Sequence, residues 1–440
     1  MIAKNNDNSA HRPAEKPSKE QLSELIMHLH ENRTAPPSCG NYSEVVQAKK
    51  AQLQAKMFGK FLGYTPKPRP EIGRRLEMAM WMGDPLGDAA LLKMADRGEN
   101  PHAIIEAVIT KGIEAVENPS DELRQVWQQI STVPDWVDWE RIERGARFYR
   151  RYGVQGFTFQ GIGTLDSYRF DSIALPLMST GQYTDDTAFN RFLLTCNFWT
   201  EVSEPGGMRL FAPGWQVAVR VRLLHTLIRR SVIASGKWDV EKLGMPINQV
   251  GLHGAPLVSS IMLGQYLKLL GFRPKDQEIA DVTHLWRYIA YIMGCTTEFF
   301  PDSVDEGIQV LFDAFNAEYQ TESEESIRLC QSYIAAFKPR SESRGWKRLK
   351  DWWHYKSIVG QTLLFVTPET VKLAGLPNPL FWGILFLLLN YPRNLIQDTL
   401  RHRLASYSDR LDRKKRDERR SWLNAYLKSA DLIYRPKPKY

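Results

Sequence analysis

One histidine, His225, lies in a long segment without helix breakers, among neighbours of the kind that surround a bound metal group. The segment GWQVAVRVRLLHTLIRRSV, from Gly214 to Val232, has neither Pro nor Gly after its first residue and predicts one helix. The helix face around His225 is mostly apolar, with Arg222 and Arg229 at its margins. Such a face suits the iron ligand of a haem, because it offers an apolar wall for the ring and cations for the propionates. The same spacing is typical of a core histidine bonded to one carbonyl, so both interpretations stay open.

A second group with possible chemistry precedes this helix. Arg191 and Thr195 are four residues apart and share a helix face with Trp199. A cation, a hydroxyl and an indole on one face can line the wall of a pocket. In the alternative interpretation Arg191 bonds a carboxylate such as Asp186 and Thr195 bonds its own backbone.

Four segments in order resemble one known family. RVRLLH, Arg220 to His225, resembles the haem-ligand helix of the latex clearing protein (rubber oxygenase) and MpaB oxygenase family. RFLLT, Arg191 to Thr195, resembles that family's R-x-x-K-T element. Two later stretches, GMPINQVGL (Gly244 to Leu252) and HLWRYIAYIMG (His284 to Gly294), resemble the family's sequence after the ligand helix. The resemblance extends over residues 130 to 320.

The resemblance implies a globin-like helical core that holds haem b. It makes His225 the proximal iron ligand and Arg191 and Thr195 the catalytic residues of the distal pocket. Leu194 and Arg222 are expected beside the cofactor. The implied activity is that of a haem-dependent oxygenase of the dioxygenase type, which adds O2 to a carbon-carbon double bond of an apolar, isoprenoid-like substrate and yields carbonyl compounds.

Two departures from the family pattern weaken polyisoprene as the substrate. The lysine of R-x-x-K-T, which can occupy the distal iron position, is Leu194 here, and the preceding stretch SIALPLMS holds no carboxylate to act as a base. A leucine leaves an apolar distal site that supplies neither a proton nor a second axial bond. Two alternatives therefore stay open: a non-catalytic b-type haem or gas-binding protein, and a helical protein that interacts with membrane surfaces.

Other polar residues have ordinary explanations. His253 and His284 are expected to be core histidines with satisfied hydrogen bonds, although a place near a haem is an alternative. Asp185 and Asp186 are adjacent, so they point apart on a helix and predict a cap rather than an acid pair. RKKRDERR, from Arg413 to Arg420, predicts a solvated helix face. The sequence lacks GxGxxG, P-loop, HExxH and GxSxG motifs.

The elements that must position these residues are helices, and the predicted fold class is all-α with extra helices around the core. Ser120 and Asp138 precede amphipathic segments as N-caps, and Thr321 with Ser323 opens another helix. Only Val154 to Gly161 hints at a strand. We expect a polar leader at 1–40, a haem-binding domain at 41–340 and a C-terminal helical extension at 341–440.

Composition and charge restrict the partners. The 440 residues carry a net charge of +8. From Arg393 to the end there are fourteen Lys and Arg against six Asp and Glu, so the basic excess belongs to the tail and no nucleic-acid partner is expected. The four cysteines form no CxxC or CxxCH pair, so any haem is non-covalent. The polar opening residues predict a cytoplasmic protein. No sequence feature predicts the oligomeric state.

The apolar run PLFWGILFLLLNY, Pro379 to Tyr391, is shorter than the roughly 20 residues that a membrane-spanning helix needs. It predicts a buried helix. Contact with a membrane surface through residues 379–430 is the alternative, because cationic residues come after the run. The cluster DWWHY, Asp351 to Tyr355, predicts aromatic residues that hold the tail to the core, and a ligand wall is its alternative.

Overall fold

The computed structural model describes residues 18, 36–38, 42–179, 188–318, 320, 322–339 and 341–427. The predicted helix at Gln21 to His30 and the predicted cap at Asp185 and Asp186 lie outside these residues, as does Cys39. Within them the secondary structure is helical and contains no strand, as the sequence predicts. The three cysteines in this part of the chain, Cys196, Cys295 and Cys330, are buried and free.

The first half of the fold runs from α1 to α11. In chain order the helices are α1 (Tyr42–Val45), α2 (Lys49–Leu62), α3 (Pro70–Ala79), α4 (Pro85–Asp96), α5 (Pro101–Lys111), α6 (Asp121–Ser131), α7 (Trp139–Arg150), α8 (Gly153–Gly163), α9 (Asp171–Ser179), α10 (Ala188–Val202) and α11 (Pro213–Ala234). Short 3-10 turns cover Ile113–Ala115 and Leu165–Arg169.

The second half runs from α12 to α21. These helices are α12 (Val240–Leu243), α13 (Gln249–Leu257), α14 (Leu263–Leu269), α15 (Asp276–Ile292), α16 (Val304–Phe315), α17 (Glu324–Ala335), α18 (Gly345–Phe365), α19 (Pro368–Leu373), α20 (Leu380–Arg403) and α21 (Ala405–Leu427). One π turn, Val258–Met262, joins α13 to α14.

The predicted helix caps are confirmed. Ser120 Oγ accepts a hydrogen bond from the Leu123 N–H at 3.2 Å, and Asp138 caps α7 in the same way. Ser323 caps α17, while Thr321 lies outside the described residues. Each cap satisfies backbone donors that a helix start leaves free, which explains why such short signals fix where the helices begin.

The strand hint at Val154 to Gly161 is wrong. These residues belong to α8, which is buried on all sides and so shows no polar face in its sequence. Its glycines permit close packing: a side chain at Gly161 would collide with the ring of Tyr333. The alternation of apolar residues and glycines therefore belongs to a helix that packs closely against its neighbours, not to a strand.

The core extends through most of the chain. One large cluster of buried apolar side chains contains residues from α4 to α18 and continues into α20 and α21, with Phe386 and Leu423. Helix α11 lies near its centre and contacts α4, α5, α9, α10 and α15. The helices on both sides of residue 341 thus share a core, and the domain division at that residue stays a prediction.

The basic stretch Arg413 to Arg420 is only partly a solvated face. Arg416 and Arg420 form ion pairs with Glu204 and Glu201 at the C-terminal end of α10. Arg419 is buried and donates to Ser203 Oγ at 2.9 Å. Carboxylates on α10 attract these cations, so the contacts bind α21 to the helix that carries Arg191 and Thr195.

The apolar run at Pro379 to Tyr391 forms the first half of α20, but the prediction that it is buried is wrong. Gly383 and Phe386 pack inward, whereas Phe381 and Leu388 are 66% and 68% exposed. The helix contacts α18 and α21, while the side that carries Phe381 and Leu388 is exposed. None of the described helices combines the length and the apolar character that crossing a membrane requires.

Candidate functional site

Helix α11 positions His225 as the sequence predicts. The helix begins with Pro213 at its first turn, where a missing N–H costs nothing, and continues to Ala234 just before Gly236, which has a φ of +68°. The predicted limits, Gly214 and Val232, differ by one or two residues. His225 lies in the middle of the helix, so its backbone is held rigidly on both sides.

His225 has an imidazole without a partner. The ring is partly exposed, yet its Nδ1 atom is buried and makes no hydrogen bond with any described residue. The pKa of His225 is lowered from 6.5 to about 3, first by burial and then by the positive charges of Arg229 and Arg191. The ring is therefore neutral at physiological pH. A neutral imidazole keeps the lone pair with which histidine binds a metal.

Helix α10 brings the other predicted residues to the same region. Arg191, Leu194 and Thr195 are partly exposed, whereas their neighbours Phe192, Leu193 and Cys196 are buried. Arg191 acts electrostatically on His225, which shows that the two side chains are neighbours. Thr195 Oγ1 donates to the Arg191 carbonyl at 3.2 Å, as the backbone alternative expects. The predicted residues of α10 thus form one accessible strip beside α11.

Trp199 does not belong to this strip. It is 6% exposed and stacks against Phe157 at 6.2 Å, with Phe192 at its edge. The indole therefore lies in the aromatic core and does not share a pocket wall with Arg191 and Thr195. The reason is the helical angle: eight residues make more than two turns, so Trp199 has rotated past the exposed strip.

Arg222 and Arg229 are both held in buried ion pairs with α4. Arg222 binds Asp84 through two hydrogen bonds of 2.6 and 2.8 Å, and both side chains are 4% exposed. Arg229 binds Asp88 at 2.6 Å and is completely buried. These pairs fix the orientation of α11, and with it the direction of His225, relative to α4.

One guanidinium nitrogen of Arg222 has no partner among the described residues. Its Nη1 is buried and makes no hydrogen bond with a described residue. Arg222 borders a cavity of about 20 Å³, which has room for about one water molecule. The other residues of α11 that line this cavity are Val219, Leu223 and Thr226. That cavity is too small for a haem propionate. The role of Arg222 toward a cofactor stays a prediction.

His253 and His284 are core histidines, as predicted. His253 Nδ1 lies 2.7 Å from the Gln249 carbonyl, and His284 Nε2 accepts the N–H of Asp138 at 3.0 Å. Burial lowers the pKa of both rings. Each therefore has a ring nitrogen held by a hydrogen bond within the protein, whereas no described residue bonds to His225 Nδ1.

Sequence reasoning missed Asp84 and Asp88. Their spacing in DPLGD was a usable signal: Asp84 caps α4 before Pro85, and a carboxylate four residues later lies on the same face. Two carboxylates on one face can pair with two arginines seven residues apart on another helix. The sequence did not indicate which helices would meet.

The residues present fit a haem better than a bare metal ion. Among the described residues no three His, Cys, Asp or Glu side chains come together to hold a metal. A haem needs only one protein ligand, because its porphyrin supplies four nitrogens. His225 offers such a ligand: the residue is partly exposed, its ring is neutral, and its buried Nδ1 has no hydrogen-bond partner among the described residues.

Comparisons with known proteins identify the family to which the chain belongs. The family model described as ER-bound oxygenase mpaB/B'/Rubber oxygenase, catalytic domain, matches residues 150–422. The rubber oxygenase of Streptomyces sp. (strain K30) is 23% identical over 238 residues, which are 51% of this chain and 56% of that protein. The chain thus aligns with little more than half of that relative. The structure of latex clearing protein LCP in the closed state superimposes with a TM-score of 0.55 at 16% identity, covering 77% of this chain and 91% of that one. Since the family model covers well over half of the 440 residues, this chain belongs to the MpaB and rubber oxygenase family.

Proposed function

We propose that this protein is a haem-b-dependent oxygenase that adds O2 to a carbon-carbon double bond of an apolar, isoprenoid-like substrate, with His225 as the proximal iron ligand. The observation that carries the proposal is the neutral imidazole of His225, partly exposed and with a nitrogen that no described residue uses. Family membership supports the reaction class.

The chain would contribute a histidine ligand and a rigid frame. Haem b, when bound, would supply the iron chemistry that activates oxygen. His225 would hold the haem, and the ion pairs of Arg222 and Arg229 with α4 prevent α11 from rotating. Because both pairs are buried, the orientation of the ring does not depend on solvent or salt.

The strip on α10 sets the polarity beyond the histidine. The guanidinium of Arg191 places a positive charge near the site, which favours developing negative charge on a reacting oxygen. The Thr195 hydroxyl donates a hydrogen bond to the Arg191 carbonyl, so its oxygen keeps lone pairs that can accept one. Leu194 provides apolar surface that excludes water and holds a hydrocarbon. No side chain in SIALPLMS can act as a base there.

The test is the absorption spectrum of protein produced with iron and a haem precursor. We expect a Soret band in the wild type that is lost or strongly weakened in His225→Ala and restored by free imidazole in His225→Gly. His102→Ala, which changes an exposed histidine on α5, is the matched control and should keep the full band. A colourless wild type would overturn the proposal.

A second variant tests the distal face. Leu194→Lys places an amine where the family has its lysine, so we expect a spectrum that shifts toward six-coordinate iron. Asn197→Lys adds the same charge one turn further along α10 and should leave the spectrum unchanged. An unaltered spectrum in Leu194→Lys would mean that residue 194 does not face the iron.

A second function, a haem or gas carrier without catalysis, is favoured by one observation: the lysine and the carboxylate of the rubber enzymes are both absent. Oxygen consumption separates the two functions. Ferrous protein that binds oxygen or carbon monoxide, but consumes no oxygen with isoprenoids, carotenoids or unsaturated lipids, would be a carrier.

A further inference from the structure

An exposed aromatic cluster joins α18 to α20. Trp352 and Trp353 are 37% and 48% exposed, and both pack edge-on against Trp382 at 5.3 and 6.1 Å. Phe381 contacts Trp382 from the other side at 5.0 Å. Lys356 lies over Trp352 and Trp382 at 5.7 and 5.5 Å. Tryptophan beside lysine at a surface is the combination that prefers the boundary between lipid and water.

The apolar surface continues along α20. Phe381, Ile384 and Leu388 succeed one another at helical spacing and are 66%, 49% and 68% exposed. Leu389 and Ile396 extend the apolar surface toward the C-terminal half and are 55% and 60% exposed. Exposed apolar residues are common singly, but a contiguous row of this length marks an interaction surface.

This row leads into a cationic cleft between α20 and α21. The cleft encloses about 500 Å³, and its lining residues are Arg393, Ile396, Gln397, Tyr407, Arg410, Leu411, Lys414 and Lys415. Lys415 is paired with Glu418 at 2.7 Å. Arg393, Arg410 and Lys414 are exposed and make no ion pair with a described residue. Three free cations beside an apolar row indicate an amphiphilic anion as the partner.

We infer that the exposed face of α18 and α20, together with the α20–α21 cleft, docks on an anionic phospholipid bilayer. The apolar row and the tryptophans enter the lipid boundary, and the cleft holds phosphate headgroups. Charge selects this occupant. A second copy would bring the same cations, and residues 428–440 carry Arg435, Lys437 and Lys439, so both would be repelled from the cleft. The surface does not depend on haem and stands apart from the proposed oxygenase activity.

Sedimentation of the intact chain with vesicles tests this surface. We expect binding to phosphatidylcholine vesicles that contain about a quarter phosphatidylglycerol, and much weaker binding to pure phosphatidylcholine. Arg393→Gln, Arg410→Gln and Lys414→Gln together should lower the partition coefficient about 100-fold, because each cation contributes about fivefold near an anionic surface. The matched control, Lys56→Gln, Lys111→Gln and Arg124→Gln, removes three exposed cations elsewhere and should change binding less than about threefold.

A third variant tests the apolar row. Ile384→Gln with Leu388→Gln should lower binding at least about tenfold on the same vesicles. All altered side chains are exposed, so circular dichroism should show unchanged helix content in every variant. Equal binding to both vesicle types, or equal losses in the cleft variant and its control, would overturn the inference. So would a wild-type dimer that the apolar variant converts to monomer, since a second copy would then cover the row.

Discussion

Removing the charge of Asp84 should destabilise the protein through the partner that it leaves behind. Asp84→Asn keeps the shape of the side chain, and Asn is as good an N-cap for Gly87 as Asp. The substitution removes the negative charge of the carboxylate to which Arg222 donates two hydrogen bonds. The side chains of Asp84 and Arg222 are both 4% exposed. Loss of one partner from a buried pair costs about 3 to 5 kcal/mol. We expect about 3 kcal/mol, because the amide oxygen still accepts one bond.

The assay is urea unfolding followed by circular dichroism. The matched control is an exposed ion pair of α11, the helix that carries Arg222. Arg220 and Glu106 form an ion pair whose side chains are 41% and 49% exposed, so Glu106→Gln should cost less than about 1 kcal/mol. The double variant Asp84→Asn with Arg222→Met should be less destabilised than the sum of the single variants. A loss below about 1 kcal/mol in Asp84→Asn would refute the view that this pair fixes α11.

Two further changes have calculable effects. Burial raises the pKa of Glu318 from 4.5 to about 7 while Ser172 donates to it, so the protonated form favours folding; this contribution is present below about pH 4.5 and is lost as the pH rises through about 7. The free energy of unfolding, measured from about pH 5 to about pH 8, should therefore fall by up to about 3 kcal/mol more in wild type than in Glu318→Gln, and parallel curves would contradict the raised pKa. Gly145→Ala would press a methyl group onto the backbone of α15, against the Asp281 carbonyl and 2.9 Å from the Val282 Cα, and should lower the free energy of unfolding by about 1 to 3 kcal/mol. An unchanged urea midpoint would show that α7 and α15 can separate freely.

Local signals in the sequence predicted local structure well. Ser120 and Asp138 began helices where expected because a cap needs only the next three residues. The long helix around His225 was predictable from a segment without Pro or Gly after its first residue. The resemblance to a family then supplied what spacing could not, namely a reason to choose an iron ligand over a core histidine.

Contacts between residues far apart in the chain could not be predicted from the sequence pattern. The partner of Arg222 is 138 positions away, and a single sequence does not state which helices meet. The apolar run in α20 had the hydropathy of a buried helix, but burial needs a partner on every side, and the side that carries Phe381 and Leu388 is exposed. Trp199 left the predicted pocket wall because a small rotation per turn accumulates along α10.

The contacts between α21 and the end of α10 have a thermodynamic consequence. Arg420 binds Glu201 on the helix that carries Arg191 and Thr195, and Arg416 binds Glu204 just after that helix, so α10 connects the C-terminal helices to the candidate site. Occupancy of two sites coupled through such a helix obeys reciprocity: a lipid surface that changes the haem affinity by some factor must have its own affinity changed by haem by the same factor. Titrating haem with and without vesicles, and vesicles with and without haem, therefore measures one coupling free energy twice.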